Sequence, residues 1–433
     1  MKLLFLFAFL TFVSPLMADE PDTASSIEAP FTGMDLTWIN GQSRQHNFPL
    51  TVDGIGTGML YLDTYFNYNL AKPIDNTQTA SATIGRTSEF MLNLASAGFE
   101  ANYKNVILRL WLQTGAQLNI VQELDGTVKH GRNTSTGNLK FIREAAAGYH
   151  FDIWHGLNIE MGIFMSYIGL ESYLTQENWN YQRSMISEFT PFYFQGARIQ
   201  AYPSSNYKAE LWILNGWQTY NSWNTGLGIG QSSYWRPNED LQLVMNFYLG
   251  QDDRGTTRVR FHNDNSVVAR YFKNGHGTFS QAAVCFNVHY GSQLGEGETL
   301  ENEYLTGASL SHRLWFADNK LAVSVRADGL INRGLYDTPA PSPVAPNAYT
   351  DAIASTSAPS FKIAQFTVTF DVMPSDFITF RFEYLHRASN IPYFAGPGGT
   401  TSPDGWVDTP IGTWRPDLRT WEDRFTLATN VRL

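Results

Sequence analysis

In this chain apolar and polar residues trade places at every second position, in one stretch after another. In DVMPSDFITFRFEYLHR, Asp371–Arg387, the residues Phe380, Phe382 and Tyr384 share one phase, and Thr379, Arg381 and Glu383 share the other. A strand sends successive side chains to opposite faces, so such a stretch has one apolar and one polar face. The same alternation recurs in MLYLDTYFNYN (59–69), LRLWLQ (108–113), LNIEMGIFMSY (157–167), LQLVMNFYLG (241–250), LAVSVRAD (321–328) and RFTLATNVRL (424–433). Beyond the first residues, no apolar run approaches the ~20 residues that a membrane helix needs.

The start of the chain supplies the setting. MKLLFLFAFLTFVSPLMA carries Lys2, an apolar run from Leu3 to Val13, and small or turn-forming residues up to Ala18. This reads as a secretory signal over residues 1–18, with a mature chain from Asp19. Only one cysteine, Cys285, occurs in 433 residues, so no intrachain disulfide can form although the chain is exported. Charged residues are 16 % of the chain, yet mean hydropathy is −0.25, too polar for a bundle of membrane helices. The formal charge of −10 argues against nucleic acid as a partner. Lipid leaves only helices or closed barrels as ways to satisfy the backbone, and without spanning helices the barrel remains.

The links between alternating stretches sort into two sets that take turns. Short ones fall at 103–105, 152–156, 203–206, 237–240, 274–277, 317–319 and 374–376; longer ones fall at 71–86, 122–138, 171–187, 219–225, 251–265, 294–303, 332–359 and 388–420. Short periplasmic turns and long external loops are the pattern of outer-membrane barrels. Strand starts near Gly56, Phe90, Val106, Lys140, Gly156, Glu188, Tyr207, Gly226, Leu241, Ser266, Ser280, Tyr304, Lys320, Phe361, Asp376 and Trp421 give about sixteen strands. The expectation is an all-β, antiparallel up-and-down barrel over residues 56–433. Residues 19–55 precede it as a periplasmic tail or a plug.

In such a barrel the Phe380/Phe382 face meets lipid and the charged phase meets the lumen. An outward Arg or Lys would cost roughly 2–4 kcal/mol at mid-membrane. The candidate pore-lining set is therefore Arg109, Glu160, Arg326, Asp328, Arg381, Glu383 and Arg424. The competing reading for each is mutual ion pairing or contact with loops folded into the barrel. A lining of mixed sign predicts weak ion selectivity, because strong selectivity needs rings of one sign.

ENWNYQRSMISEFTPFYFQGARI (177–199), LNGW (214–217), ITFRFEYLHRASNIPYFAGPGG (378–399), WRPDLRTWEDR (414–424) and WINGQSRQ (38–45) resemble the OmpL-like β-barrel porin family over nearly the whole mature chain. The resemblance implies an outer-membrane barrel of a Gram-negative-type bacterium that passes small hydrophilic solutes. It carries over no binding residue and no cofactor. It also implies outer-membrane lipids and the barrel-assembly machinery as partners, and leaves room for homo-oligomers. Leu433 stands where such barrels usually end in an aromatic residue, so the assembly signal in the last strand is a weakened one.

Trp179, Tyr181 and Arg183 are candidates for an external loop path, since aromatic faces and Arg suit hydroxylated ligands; sugars are then the favoured solutes. The same residues could instead anchor a rim or pin a loop. The rival classes are a closed barrel acting in binding, adhesion or structure, and an outer-membrane hydrolase. Against the hydrolase, the nine His are scattered and no HExxH, GxSxG or Cys/His cluster occurs. His289 shares its polar phase with Asn287 and could reach a lumen carboxylate, while His386 belongs at the outer rim.

Overall fold

The computed structural model describes residues 31, 39, 47–123, 125, 127, 136–222, 226–252, 255–274, 277–334, 336–337 and 360–433. The expected signal at 1–18, most of the 19–55 segment and most of the 332–359 link lie outside the described residues.

Sixteen long strands form the wall: β1 (Gly56–Asn69), β2 (Phe90–Tyr103), β3 (Val106–Thr114), β4 (Ile142–Phe151), β5 (Leu157–Met165), β6 (Tyr193–Ser204), β7 (Tyr207–Leu214), β8 (Gly228–Asn238), β9 (Leu241–Gly250), β10 (Val259–Lys273), β11 (Phe279–Leu294), β12 (Tyr304–Phe316), β13 (Leu321–Arg333), β14 (Ser360–Ser375), β15 (Ile378–Ser389) and β16 (Trp421–Arg432). Each pairs antiparallel with its neighbours in the chain. The sheet closes where β16 pairs with β1, from Arg424 opposite Asn69 to Arg432 opposite Tyr61. Closure removes the free edges that lipid cannot hydrogen-bond. No helix among the described residues is long and apolar enough to cross a membrane.

All seven turns at one end are short. The β2–β3 connection is two residues, Lys104 and Asn105, both at positive φ (49° and 66°). Two central residues at positive φ make a turn whose twist matches that of the flanking strands. The other end carries the long links, in the alternation expected. Phe382 is 49 % exposed on the outer face, whereas its neighbour Arg381 is 2 % exposed on the inner one.

Two strand starts differ from expectation. β6 begins at Tyr193 rather than near Glu188, because Met185–Glu188 form a helical turn docked on the inner wall. Pro191 therefore lies in a link and breaks no ladder. β10 begins at Val259, seven residues before Ser266. The outward phase there carries Asn263 and Asn265, so both phases are polar and the alternation vanishes, yet both residues pair with β9 and β11.

Candidate functional site

The barrel interior is occupied by its own links. The largest contribution is the link between β5 and β6, residues 166–192, which turns inward and packs against β1 and β10–β16. Alternation makes the inner phase of these strands polar, and the link uses that phase as a socket. The Glu383 carboxylate accepts the backbone N–H of Tyr181 (2.6 Å) and of Gln182 (3.0 Å), and the Thr369 hydroxyl (2.7 Å). Arg381 donates to the carbonyls of Thr175 and Asn178, both at 2.6 Å, and pairs with Asp371 at 3.3 Å. Arg313 donates to the Trp179 carbonyl (2.9 Å) and to Asp371 (2.7 Å). Arg326 bridges Glu171 of the link (2.6 Å) and Asp328 of its own strand (2.9 Å), and Asp328 also accepts the Met185 N–H. Arg424 donates to the Gln182 side chain at 2.6 Å. From β1, Asp63 accepts the Tyr181 hydroxyl at 3.0 Å.

Small residues let the link approach the wall. A Cβ on Gly230 would overlap the Tyr167 hydroxyl, which donates to the Phe247 carbonyl at 3.0 Å. The link between β1 and β2 also folds in. Its Asp75 accepts the backbone N–H groups of Thr400 (2.6 Å), Thr401 (3.0 Å) and Thr77 (3.1 Å). Burial alone would raise the Asp75 carboxyl, but these hydrogen bonds and the two threonine hydroxyls outweigh it and hold the group below its ordinary value.

The candidate residues are thereby separated. Arg326, Asp328, Arg381, Glu383 and Arg424 face inward as their phase requires, but the folded-in link covers them, so they grip the link rather than line open water. Trp179, Tyr181 and Arg183 are not on an external path: all three are buried inside the barrel, with Trp179 edge-on to Trp315 at 5.6 Å. The reason is the socket itself, since the main-chain groups of this segment find partners on β12–β15. Arg109 and Glu160 belong to a different wall. There Glu100, Arg109, Glu160, Arg198, Glu210 and Lys208 run around β2–β7 as a belt of alternating charge. Arg109 lies 3.1 Å from Glu100 and 3.2 Å from Glu160; Arg198 contacts Glu160 and lies 3.8 Å from Glu210; Lys208 lies 3.1 Å from Glu210.

Between this wall and the folded-in link lies a cavity of about 310 Å³. Its lining runs from Met59, Glu100 and Arg432, toward the short turns, to Arg143 and Met165, at the opposite ends of their strands. Glu177 and Arg432, paired at 3.3 Å, remain partly open to solvent at its edge. Of its lining, sequence reasoning singled out only Arg109 and Arg183 as candidates; Arg143 and Tyr173 are among the residues it did not. Arg143 sits at a register shift between β3 and β4, where alternation gives no reliable phase, and Tyr173 lies in the link. Arg313 and Asp371 were also missed, although the phase of β14 would have given Asp371.

Two described residues of the 19–55 segment reach the barrel. The Phe31 N–H donates to Ser205 in the β6–β7 turn (2.8 Å), and the Ile39 N–H donates to Glu177 in the link (2.6 Å). His289 does meet a lumen carboxylate, Asp264, at 3.2 Å. Its Nδ1 lies 3.1 Å from Nε2 of His262, and its Nε2 is also 3.0 Å from Asn287. With both ring nitrogens engaged, the imidazole has no free nitrogen to activate a nucleophile. His386 lies on the outer face beside Asp423 at 2.9 Å. Among the described residues no cluster of His, Cys, Asp and Glu has metal-binding geometry.

Solved structures share the fold. The anion-selective porin from Comamonas acidovorans superposes with a TM-score of 0.54 at 8 % identity, over 87 % of this chain and 99 % of that one. The outer membrane channel DcaP of Acinetobacter baumannii gives 0.51 at 9 % identity, over 88 % and 99 %. OmpT of Vibrio cholerae, expressed in the outer membrane, gives 0.51 at 10 % identity, over 89 % and 99 %. At these identities the likeness is one of fold. No curated protein matches the sequence. The sequence match is to a family described as Putative beta-barrel porin-2, OmpL-like, and it runs from residue 57 to residue 411, from the first strand into the last long link. A closed sixteen-stranded wall, an inward polar phase and a family match over most of the chain place this protein among the OmpL-like β-barrel porins of the outer membrane.

Proposed function

We propose that this porin passes small hydrophilic solutes by passive diffusion along the β2–β8 side of its lumen, past the folded-in 166–192 link. The observation that carries the reading is the solvent-edged cavity of about 310 Å³ between the charge belt and that link. The opposite side is packed by the hydrogen bonds with which Arg313, Arg381 and Glu383 hold the link. Sugars lose their main support, because Trp179 and Tyr181 are buried in the link rather than displayed along a path. Phe31 and Ile39 favour reading the 19–55 segment as part of the lumen filling at the short-turn end.

Single-channel recording of the purified protein in planar bilayers tests the proposal. Discrete conductance steps in salt are expected, and neutral solutes should reduce them in order of size. An absence of any conductance would favour the closed barrel acting in binding or adhesion, a reading supported by how much of the lumen the links fill.

A further inference from the structure

The cavity holds an imbalance of hydrogen-bonding groups. Four of its lining residues are glutamates, and each is already engaged. Glu100 and Glu144 lie 3.1 and 3.7 Å from Arg109. Glu171 is held by Arg326 and by the Ser184 N–H and hydroxyl, and Glu177 by Arg432. Two further lining arginines make no direct ion pair, although Glu144 and Glu177 act on Arg143, and Glu188 and Glu171 on Arg183, from farther off. Arg143 is 3 % exposed and Arg183 is 2 % exposed, and in both the Nε and one Nη are buried without a hydrogen-bond partner. The Tyr173 hydroxyl, on the same cavity, is also buried and unpartnered.

Packing explains where the two guanidinium planes lie but not what their edges do. Arg143 stacks over Trp111 with 5.2 Å to the ring centre, and Arg183 over Phe192 with 4.4 Å. Stacking engages the flat face of a guanidinium and leaves its in-plane N–H donors free. A buried cation without a direct ion pair has its desolvation cost only partly compensated. Buried polar groups without partners are uncommon in folded proteins and call for an explanation such as an ordered water or a ligand. Here all three groups belong to the lining of one space whose four glutamates are already engaged. The complement of such a space is a small anion with several acceptor oxygens in a plane, which the fork of Arg binds in bidentate fashion.

We propose that the cavity is a binding site for small organic carboxylates, held by Arg143 and Arg183 with Tyr173 as a third donor. The proposal rests on the route proposed above, since it makes this site a stop along that route. A dicarboxylate suits it best, with one carboxylate for each guanidinium.

Calorimetric titration of succinate into the detergent-purified full-length protein tests the site without requiring conduction; succinamide serves as the neutral counterpart of the same shape. Succinate should bind and succinamide should not. Arg143→Gln and Arg183→Gln should each weaken succinate about ten-fold or more, and Tyr173→Phe a few-fold, because hydrogen bonds to a charged partner are the strong ones. Heat-modifiable gel migration identifies variants that have folded. Should both arginine variants fail to fold, the comparison of succinate with succinamide and the Tyr173→Phe variant still decide. Equal binding of acid and amide, or no binding of either, would mean that water alone satisfies the donors and would overturn the proposal. Unchanged affinity in folded arginine variants would do the same. A protein that conducts but does not bind succinate refutes the site and leaves the porin reading intact. One that binds succinate but does not conduct refutes the route and leaves the site.

Discussion

Glu383→Ala is the most informative single change to the link socket. The carboxylate accepts three hydrogen bonds, from the Tyr181 and Gln182 N–H groups and the Thr369 hydroxyl, at 2.6–3.0 Å. Hydrogen bonds to a charged group contribute roughly 1.5–3 kcal/mol each, and losing the acceptor also strands two backbone N–H groups in a buried place. Water entering the vacated space would recover part of this. A net loss of about 3–5 kcal/mol in link docking is expected, and each 1.4 kcal/mol is tenfold in the docked population. The barrel itself should persist, since Glu383 takes no part in the strand ladder through its side chain. The variant should keep heat-modifiable migration, show protease cleavage within 166–192, and give larger or noisier single-channel currents. Phe382→Ala, one residue away on the outer face, is the control and should alter none of these. If Glu383→Ala shows wild-type proteolysis and conductance, the link is not held by this socket and the account of the lumen fails.

Three further outcomes follow from the fold. In a Cys285→Ser background, Ser375→Cys at a short turn should resist membrane-impermeant thiol reagents on whole cells, and Gly398→Cys in a long link should label; the reverse would invert the barrel. Phe380→Arg should lower the yield of folded, heat-modifiable barrel, because it sets a charge against lipid, at a cost that rises from the interface to about 2–4 kcal/mol at mid-membrane; wild-type folding would mean that the in/out phase is wrong. The clasp of Asp75 on Thr400 and Thr401 should weaken in acid. Its folded-state value lies below the ordinary 3.8, so its stabilisation is present above that value and is lost as pH falls through the lower, folded one. Protection of the Thr400 and Thr401 amides relative to intrinsic exchange should fall there, and Asp75→Asn should lower it in the same way at neutral pH; equal protection in the variant would remove the clasp.

What the sequence made legible was the wall. A period of two fixes which face each side chain takes, so Phe382 and Arg381 could be assigned to lipid and lumen without coordinates. Alternating link lengths gave the strand count because antiparallel neighbours must return at alternate ends. The reading faltered where a single physical signal was missing: at Asn263 and Asn265, where both phases are polar, and at Arg143, where a register shift breaks the period. The filling of the lumen was not legible. An inward Arg381 or Glu383 satisfies a watery pore and a buried socket equally well, and only the position of the 166–192 link tells the two apart. For the same reason the sequence gives no warning that Arg381→Phe would disturb the link, whereas the bonds to Thr175 and Asn178 predict that it does. Trp179 and Tyr181 misled in the opposite sense, because aromatic residues in a long link read alike whether the link stands outside or turns in.

The socket also bears on how this chain can assemble. The link that fills the lumen follows β5, yet most of the groups that hold it come from β10–β16, up to more than 200 residues later: Tyr181 waits for Glu383, and Gln182 for Arg424. Contacts so distant in sequence form late, after the loops between them have closed. Until then a segment rich in unpaired main-chain donors must be kept from pairing elsewhere, inside a wall that is still open. Once β16 has sealed against β1, a link left outside would have to pass through the finished barrel from its open end. The seam between the first and last strands is therefore also a deadline, and slow or failed threading would give closed barrels of normal strand content but wrong conductance, a kinetic defect that no equilibrium measure of the wall would detect.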